Sequence, residues 1–161
     1  MSDEIRLLAE SAKGASRRLA ALRAPAKDAA LEEIAARLEA DAETILGANA
    51  ADVEEAVALV SRGELAEPLL ARLKLDPGKL AAMVDGVRSV ARLEDPSGRL
   101  LAKTLLDDGL VLEKVSCPLG VLAVVFESRP DAVTQISALA VKSGNAVILK
   151  GGRESARSTA A

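Results

Sequence analysis

The sequence predicts an α/β chain: an N-terminal helical region, a β-hairpin, and then the first parallel βαβ unit of a sheet that is incomplete. Three observations carry that prediction. Apolar residues recur at helical spacing up to the turn cluster Glu94-Asp95-Pro96-Ser97-Gly98, where the composition changes. Asp107-Asp108-Gly109 then separates two β-rich runs, which is a strong local hairpin signal. Finally, two nearly continuous apolar runs, 121–126 and 146–149, flank a helical segment, the pattern of parallel strands joined by a right-handed crossover.

In chain order, Ile5, Leu8, Ala12, Ala15, Leu19 and Leu22 form one amphipathic stripe, with Ser2 suited to cap the helix and Asp3 and Glu4 at the positive end of its dipole. Pro25 breaks it. A second stripe, Leu31, Ile34, Leu38, Ala42 and Ile45, is expected to end near Gly47, and Asn49 to cap a third helix carrying Val53, Val57 and Val60. A short helix covers 65–73. Asp76 caps a fifth with Pro77 at its first position, and Leu80, Met83, Val84, Val87 and Val90 form its inward stripe. The hairpin strands are expected at 99–106 and 110–115. The run VLAVVF, 121–126, reads as a strand buried on both faces. A helix over 131–143 carries Val133, Ile136, Leu139 and Ala140 and stops at Ser143-Gly144-Asn145. The run 146–149 is a second buried strand, and 153–161 begins another helix.

Composition narrows the functional classes. The 161 residues make one domain or an incomplete piece of a larger one, and 50% hydrophobic with 28% charged residues suffices for a core and argues against disorder. Phe126 is the single aromatic residue, which excludes a base-stacking platform for single-stranded nucleic acid. Lys and Arg number 21 against 24 Asp and Glu, so no basic field points to nucleic acid or an anionic membrane. The absence of His removes the commonest general base and zinc ligand, and no metal site is expected. One cysteine, Cys117, forbids an internal disulfide and fits a reducing compartment. The longest apolar run, 117–126, is interrupted by Pro118 and Gly120 and is too short to span a bilayer. The start, MSDEIRLLAE, lacks the charge and apolar pattern of a signal peptide, so a cytoplasmic location is expected.

Ligands of parallel sheets bind outside the carboxyl ends of the strands. Two such ends exist: Glu127-Ser128-Arg129-Pro130 and Lys150-Gly151-Gly152-Arg153. Each joins a cation to a helix start whose free N–H groups favour anions, and the paired glycines allow close backbone approach. Lys150 and Arg153 are three residues apart and can converge on one phosphate, with Glu154 as the competing surface ion-pair partner. The alternative is an ordinary turn with solvated cations. There is neither a G-x-G-x-x-G fingerprint nor a Walker A loop. Cys117 lacks a His to activate it and precedes Pro118 at a strand entrance, which favours a structural thiol over a nucleophile. Asp107 and Asp108 read as turn formers rather than paired catalytic carboxylates.

The stretch LEKVSCPLGVLAVVFESRPDAVTQISALAVKSGNAVILKGGRE, 112–154, resembles the γ-glutamyl phosphate reductase (glutamate-5-semialdehyde dehydrogenase) family of the aldehyde dehydrogenase superfamily, above all in PLGV, FESRPDA and SGNAVILKGGRE. SCPLGV and LEDPSGR also resemble the reductase half of pyrroline-5-carboxylate synthases, and ILGANAADVEEA and LDPGKLAAMVDGVRSVARLEDPSG extend the likeness to the N-terminal helices. The resemblance implies an aldehyde-dehydrogenase-like cofactor-binding domain, with 1–98 its helical part, 99–116 a hairpin that is a candidate oligomerisation element, and 117–161 the truncated start of its parallel core. It implies NADPH-dependent reduction of L-glutamate 5-phosphate to the semialdehyde with loss of phosphate, the second step of proline biosynthesis, by a homo-oligomer. In that chemistry a cysteine thiolate displaces phosphate to give a thioester, which hydride then reduces. The resemblance places that cysteine downstream of Ala161, so no catalytic residue is expected in this chain, and the chain alone is expected to be inactive. It assigns Lys150, Gly151, Gly152 and Arg153 to NADP(H), Arg153 favouring a 2′-phosphate, and Ser128 and Arg129 to the reacting carbonyl or its phosphate. Met1, just before the first helix, favours a stand-alone reductase over a bifunctional synthase. The reading from another class is a non-catalytic nucleotide-binding or helical interaction module, which has no use for FESRP.

Overall fold

Short apolar residues set how closely the helices approach, because the core of this chain is built from Leu, Val and Ala with hardly an aromatic ring. A computed structural model describes residues 3–161. The order is α1 (Asp3–Ala20), α2 (Ala24–Ala40), α3 (Ala42–Ser61), α4 (Glu67–Leu73), α5 (Pro77–Ala91), β1 (Leu100–Asp107), β2 (Leu110–Val115), β3 (Val121–Val125), α6 (Asp131–Lys142), β4 (Ala146–Lys150), a 3-10 turn (Arg153–Ser155) and α7 (Ala156–Ala160). β1 and β2 form an antiparallel pair, and β3 and β4 a separate parallel pair linked by α6. The α/β architecture expected from the sequence is present.

The core lies where α2, α5 and α6 meet. Leu31 and Ala35 of α2, Val84, Val87 and Ala91 of α5 and Ala138 of α6 form one buried cluster. A second cluster joins Ile45 of α3 to Leu80 and Met83. The expected stripe of α5 is therefore the side that packs, and its cap is also as expected: Asp76 Oδ1 accepts from the Lys79 N–H at 2.8 Å. α6 ends in a Schellman turn, with Gly144 at φ 74°, its N–H on Val141 O and the Asn145 N–H on Ala140 O.

Two buried lysines fasten this core. Lys27 Nζ is 2.7 Å from Asp95 Oδ2 and also donates to Lys142 O. Lys142 Nζ donates to Asp28 Oδ1 and to Ala91 O. Their aliphatic stems fill space that a larger apolar residue would otherwise occupy, while the ammonium groups bond the carbonyls that end α5 and α6. Burial works to raise the Asp95 carboxyl, but the bonded Lys27, the Ser97 N–H and the nearby Lys142 together hold it below the ordinary aspartate value.

Several sequence expectations are corrected. The second stripe does not run on to Gly47: the helix breaks at Asp41 (φ −95°, ψ 13°), and α3 then continues through Gly47 and Asn49. The physical reason is divergent packing, since α2 packs on α5 and α6 whereas α3 packs on α4 and α7. Asn49 caps nothing. Its buried amide donates to Leu73 O and Ser158 Oγ and accepts from the Leu75 N–H. The apolar stripe of α1 is covered only toward its C-terminal half, which packs on β4 and β3, while Ile5 and Leu8 are exposed. Ser2 lies outside the described residues. β3 is not buried on both faces here: Val121, Ala123 and Val125 are exposed and only Leu122 and Val124 are half-buried. β4 starts buried at Ala146 and emerges to an exposed Lys150. The hairpin turn is the expected one, tightened to Asp108-Gly109 with Gly109 at φ 73°, and both strands are exposed along their whole length.

The lysine network yields a prediction with a definite pH sense. Lys27→Met removes the cation facing Asp95 and should cost roughly 3 kcal/mol in urea melts at neutral pH, the lower end for breaking a buried pair. Asp95 has a lowered folded pKa, so the stability it contributes is full above the unfolded aspartate value of about 4 and is lost as pH falls through the lower folded value. The gap between wild type and variant should therefore narrow in acid; a gap that stays constant down to full protonation of Asp95 would refute the pairing.

Candidate functional site

β3 and β4 run in register from Val121 opposite Ala146 to Val125 opposite Lys150, so both strands end at the same edge of the sheet. The two loops picked out from the sequence therefore leave the sheet side by side. Phe126 N–H on Lys150 O, at 3.1 Å, extends the pairing by one step before they part.

One carboxylate ties the loops together. Glu154 Oε1 accepts from the Ser128 N–H at 2.7 Å and from Ser128 Oγ at 2.8 Å. Ser128 is wholly buried and, among the described residues, is the one non-glycine with positive φ, at 49°. A serine held in the left-handed region needs its surroundings to fix it, and this double hydrogen bond does so. A Cβ on Gly152 would collide with the Glu154 carboxylate, whereas one on Gly151 would only meet the Phe126 ring at ordinary contact distance. Gly152 thus lets Glu154 close over the loop. Burial works to raise the Glu154 carboxyl, but its own N–H, the Ser128 hydroxyl and N–H and the Lys150 charge leave it below the ordinary glutamate value. The surface pair with Lys150 or Arg153 that the sequence suggested is not formed; Glu154 is turned to Ser128 instead, and Lys150 acts on it only at a distance.

The start of α7 is likewise supplied with an anion by the chain itself. Buried Asp52 of α3 accepts from the Ser158 N–H and Oγ, both at 2.7 Å, and from the N–H and guanidinium of Arg157. The N–H groups of Arg157 and Ser158, among those expected to hold a ligand anion at this helix start, are therefore already taken, which shifts the hold on any anion toward side-chain cations. Those cations are available. Lys150 and Arg153 are exposed, Lys150 reaching only Gly151 O at 3.5 Å, and both line one open groove with Gly151, Gly152 and Thr159. The buried Thr159 hydroxyl in that wall has no hydrogen-bond partner among the described residues.

The structure separates Ser128 from its neighbour. Arg129 points away from Glu154 and donates to Asp131 Oδ2 at 2.7 Å, on a different cavity. That bond, with the charge of Asp131, holds the guanidinium pKa above its ordinary value. Cys117 is exposed in the link between β2 and β3 rather than packed, which corrects the structural reading of this thiol. Asp107 accepts from the Asp108 N–H as a turn former should. Among the described residues, no cluster of three or more acidic or cysteine side chains could hold a metal ion, and no helix is long and apolar enough to cross a membrane. Glu154 and Asp52 as organisers were missed. Their partners lie 26 and 106 residues away, and no local pattern marks such pairs.

No protein-family model matches the chain. A γ-glutamyl phosphate reductase of a Synechococcus species is 56% identical over 143 residues, covering 89% of this chain and 31% of the relative. A Δ1-pyrroline-5-carboxylate synthase of Mesembryanthemum crystallinum is 46% identical over 97% of this chain and 21% of its own length. Among solved structures, γ-glutamyl phosphate reductase of Saccharomyces cerevisiae superposes with a TM-score of 0.89 at 42% identity, covering 98% of this chain and 39% of that one. A probable aldehyde dehydrogenase of Listeria monocytogenes shares the fold at a TM-score of 0.63 and 16% identity, over 97% of this chain and 31% of that one. The likeness to γ-glutamyl phosphate reductase read from the motifs is thus borne out along almost the whole chain, which spans about a third of the length of those relatives.

The Ser128–Glu154 tie is directly testable. Glu154→Ala leaves two buried donors of Ser128 without an acceptor and should cost about 1–3 kcal/mol in chemical denaturation. Amide exchange of Ser128 should accelerate beyond that of Ala138 in α6. Unchanged stability together with unchanged exchange would show that the carboxylate does not hold the loop.

Proposed function

We propose that this chain is the cofactor-side part of a γ-glutamyl phosphate reductase, which reduces L-glutamate 5-phosphate to glutamate 5-semialdehyde with NADPH and releases phosphate. The observation that carries this reading is the convergence of the two strand-end loops, with Ser128 and the Lys150–Arg153 turn tied through Glu154 at one edge of the sheet. A bare scaffold has no use for a buried serine held at positive φ by a carboxylate from the next loop.

The groove beside Lys150 and Arg153 fits the polar part of a dinucleotide. It offers two cations without an ion-paired acid and a Thr159 hydroxyl without a partner among the described residues, beside glycine backbone that a ligand can approach. Lys150 supplies a point charge and Arg153 a planar fork, the pair suited to a ribose 2′-phosphate and hence to NADPH over NADH. The cofactor, when bound, supplies hydride. What this chain contributes is orientation: the glycine turn and the cations seat the adenosine end, and Glu154 sets the position of Ser128 beside it. On this reading Ser128 serves the substrate carbonyl once Glu154 releases one of the two donors it holds in this structure, and Arg129 meets the substrate's anionic charge. The thiol nucleophile belongs to the part of the relatives' length not spanned here, and Cys117 is not that nucleophile. We also assign the exposed hairpin, residues 99–116, to contact between subunits, because Leu101, Leu105 and Leu112 are all more than half exposed. A chain with one cysteine and no disulfide suits the cytoplasm.

The decisive experiment measures NADPH oxidation in the full-length enzyme that carries this segment, with and without glutamate 5-phosphate. Substrate-dependent oxidation by the full-length enzyme and none by residues 1–161 alone is expected; no oxidation in the former, or turnover in the latter, would overturn the reading. Arg153→Glu should lower the ratio of kcat/KM for NADPH to that for NADH by about tenfold or more, the worth of a charge-assisted bond to phosphate. An unchanged ratio removes Arg153 from the cofactor site. Cys117→Ala should leave turnover within a few-fold, whereas loss of a nucleophile costs many orders of magnitude.

A further inference from the structure

A second cavity lies on the far side of the Ser128–Arg129 loop, between α4, α5 and the first turns of α6. Met83 and Ala82 form its apolar wall, and Arg72, Lys79, Arg129 and Asp131 line it. The three cations come from three different elements. Arg72 has no acidic partner among the described residues, and Lys79 Nζ reaches only the carbonyl oxygen of Lys74. Arg129 alone is paired, with Asp131 Oδ2, and that carboxylate also accepts from Gln135 at 3.5 Å. The cavity thus gathers an excess of positive charge, two cations without an acid beside the paired Arg129, in a chain whose net charge is −3. Like charges brought together without matching acids repel one another, and a bound anion relieves that repulsion.

We propose that this cavity binds a small oxyanion, a phosphate or a carboxylate, between Arg72, Lys79 and Arg129. Asp131 engages one Nη of Arg129, leaving the other guanidinium N–H groups available to a ligand. Arg72 and Lys79 close from α4 and from the start of α5. Arg129 directly follows Ser128, so an anion seated here stands one residue from the strand-end loop. Resting on the function proposed above, this cavity takes an anionic end of the acyl phosphate substrate; the anion site itself does not depend on that reading.

Residue-resolved NMR of the 161-residue chain tests it without any turnover, so failure of the proposed reaction and failure of this site are read separately. The probes are inorganic phosphate, L-glutamate and, at matched ionic strength, chloride. Saturable shifts are expected at the side-chain nitrogens of Arg72, Lys79 and Arg129, with phosphate, with L-glutamate or with both, and none with chloride. Response to phosphate alone assigns the site to a phosphoryl group, and response to glutamate alone to a carboxylate. The double variant Arg72→Gln, Lys79→Gln changes two exposed side chains, and should weaken binding about tenfold or more while Arg62→Gln leaves it unchanged. Shifts that never saturate, that appear equally at Arg62, or that survive the double variant would overturn the site, as would no shift with either oxyanion; the wild-type map decides the matter even if the double variant unfolds.

Discussion

The structure depends on a core of small side chains that lets α2, α5 and α6 come close together, and on two lysines that hold them there. With Ala35, Ala91 and Ala138 set among Leu31, Val84 and Val87, no aromatic ring spaces the helices, and the carbonyls ending α5 and α6 face the interior. Lys27 and Lys142 solve both problems at once: each stem fills volume and each ammonium finds a carbonyl and a carboxylate. The end of α6 is thereby fixed, and with it the Gly144-Asn145 turn that starts β4. Asn145 also accepts from the Gly120 N–H at 2.8 Å, so one residue sets where both parallel strands begin. The position of their far ends, and hence of the site, follows from that registration.

At the far end, internal anions organise the loops. Glu154 occupies the donors of Ser128, and Asp52 those that open α7. The chain has thus filled with its own carboxylates the backbone positions that a general argument would offer to a ligand, and left Lys150 and Arg153 on the outside. The groove consequently presents side-chain cations rather than a free helix terminus.

What could be read from the sequence was local in origin. Asp76 with Pro77, Asp108-Gly109, and Ser143-Gly144-Asn145 each carry their geometry in two or three adjacent residues, and each formed as their chemistry requires. The motifs FESRPDA and SGNAVILKGGRE placed the two strand-end loops, and the strands between them lie in register. What escaped depends on distant partners. The break at Asp41 has no glycine or proline to announce it, and Asn49, read as a cap, became a buried bridge because Leu73 and Ser158 happen to face it. Glu154 was visible as a charge, but its partner was not. The apolar run of β3 showed that it suits a buried strand, yet an apolar sequence does not say whether neighbours are present in the same chain.

The first turn of α7 is anchored from far away in the sequence: Asp52, placed more than a hundred residues earlier, takes its first donors, and Asn49 bonds Ser158. Such a contact closes a long loop, and the entropy of closure is lost before the contact gives anything back. The turn carrying Lys150 to Arg153 is thus braced by α3, so that a change at Asp52 or Asn49 acts on the groove without lying in it.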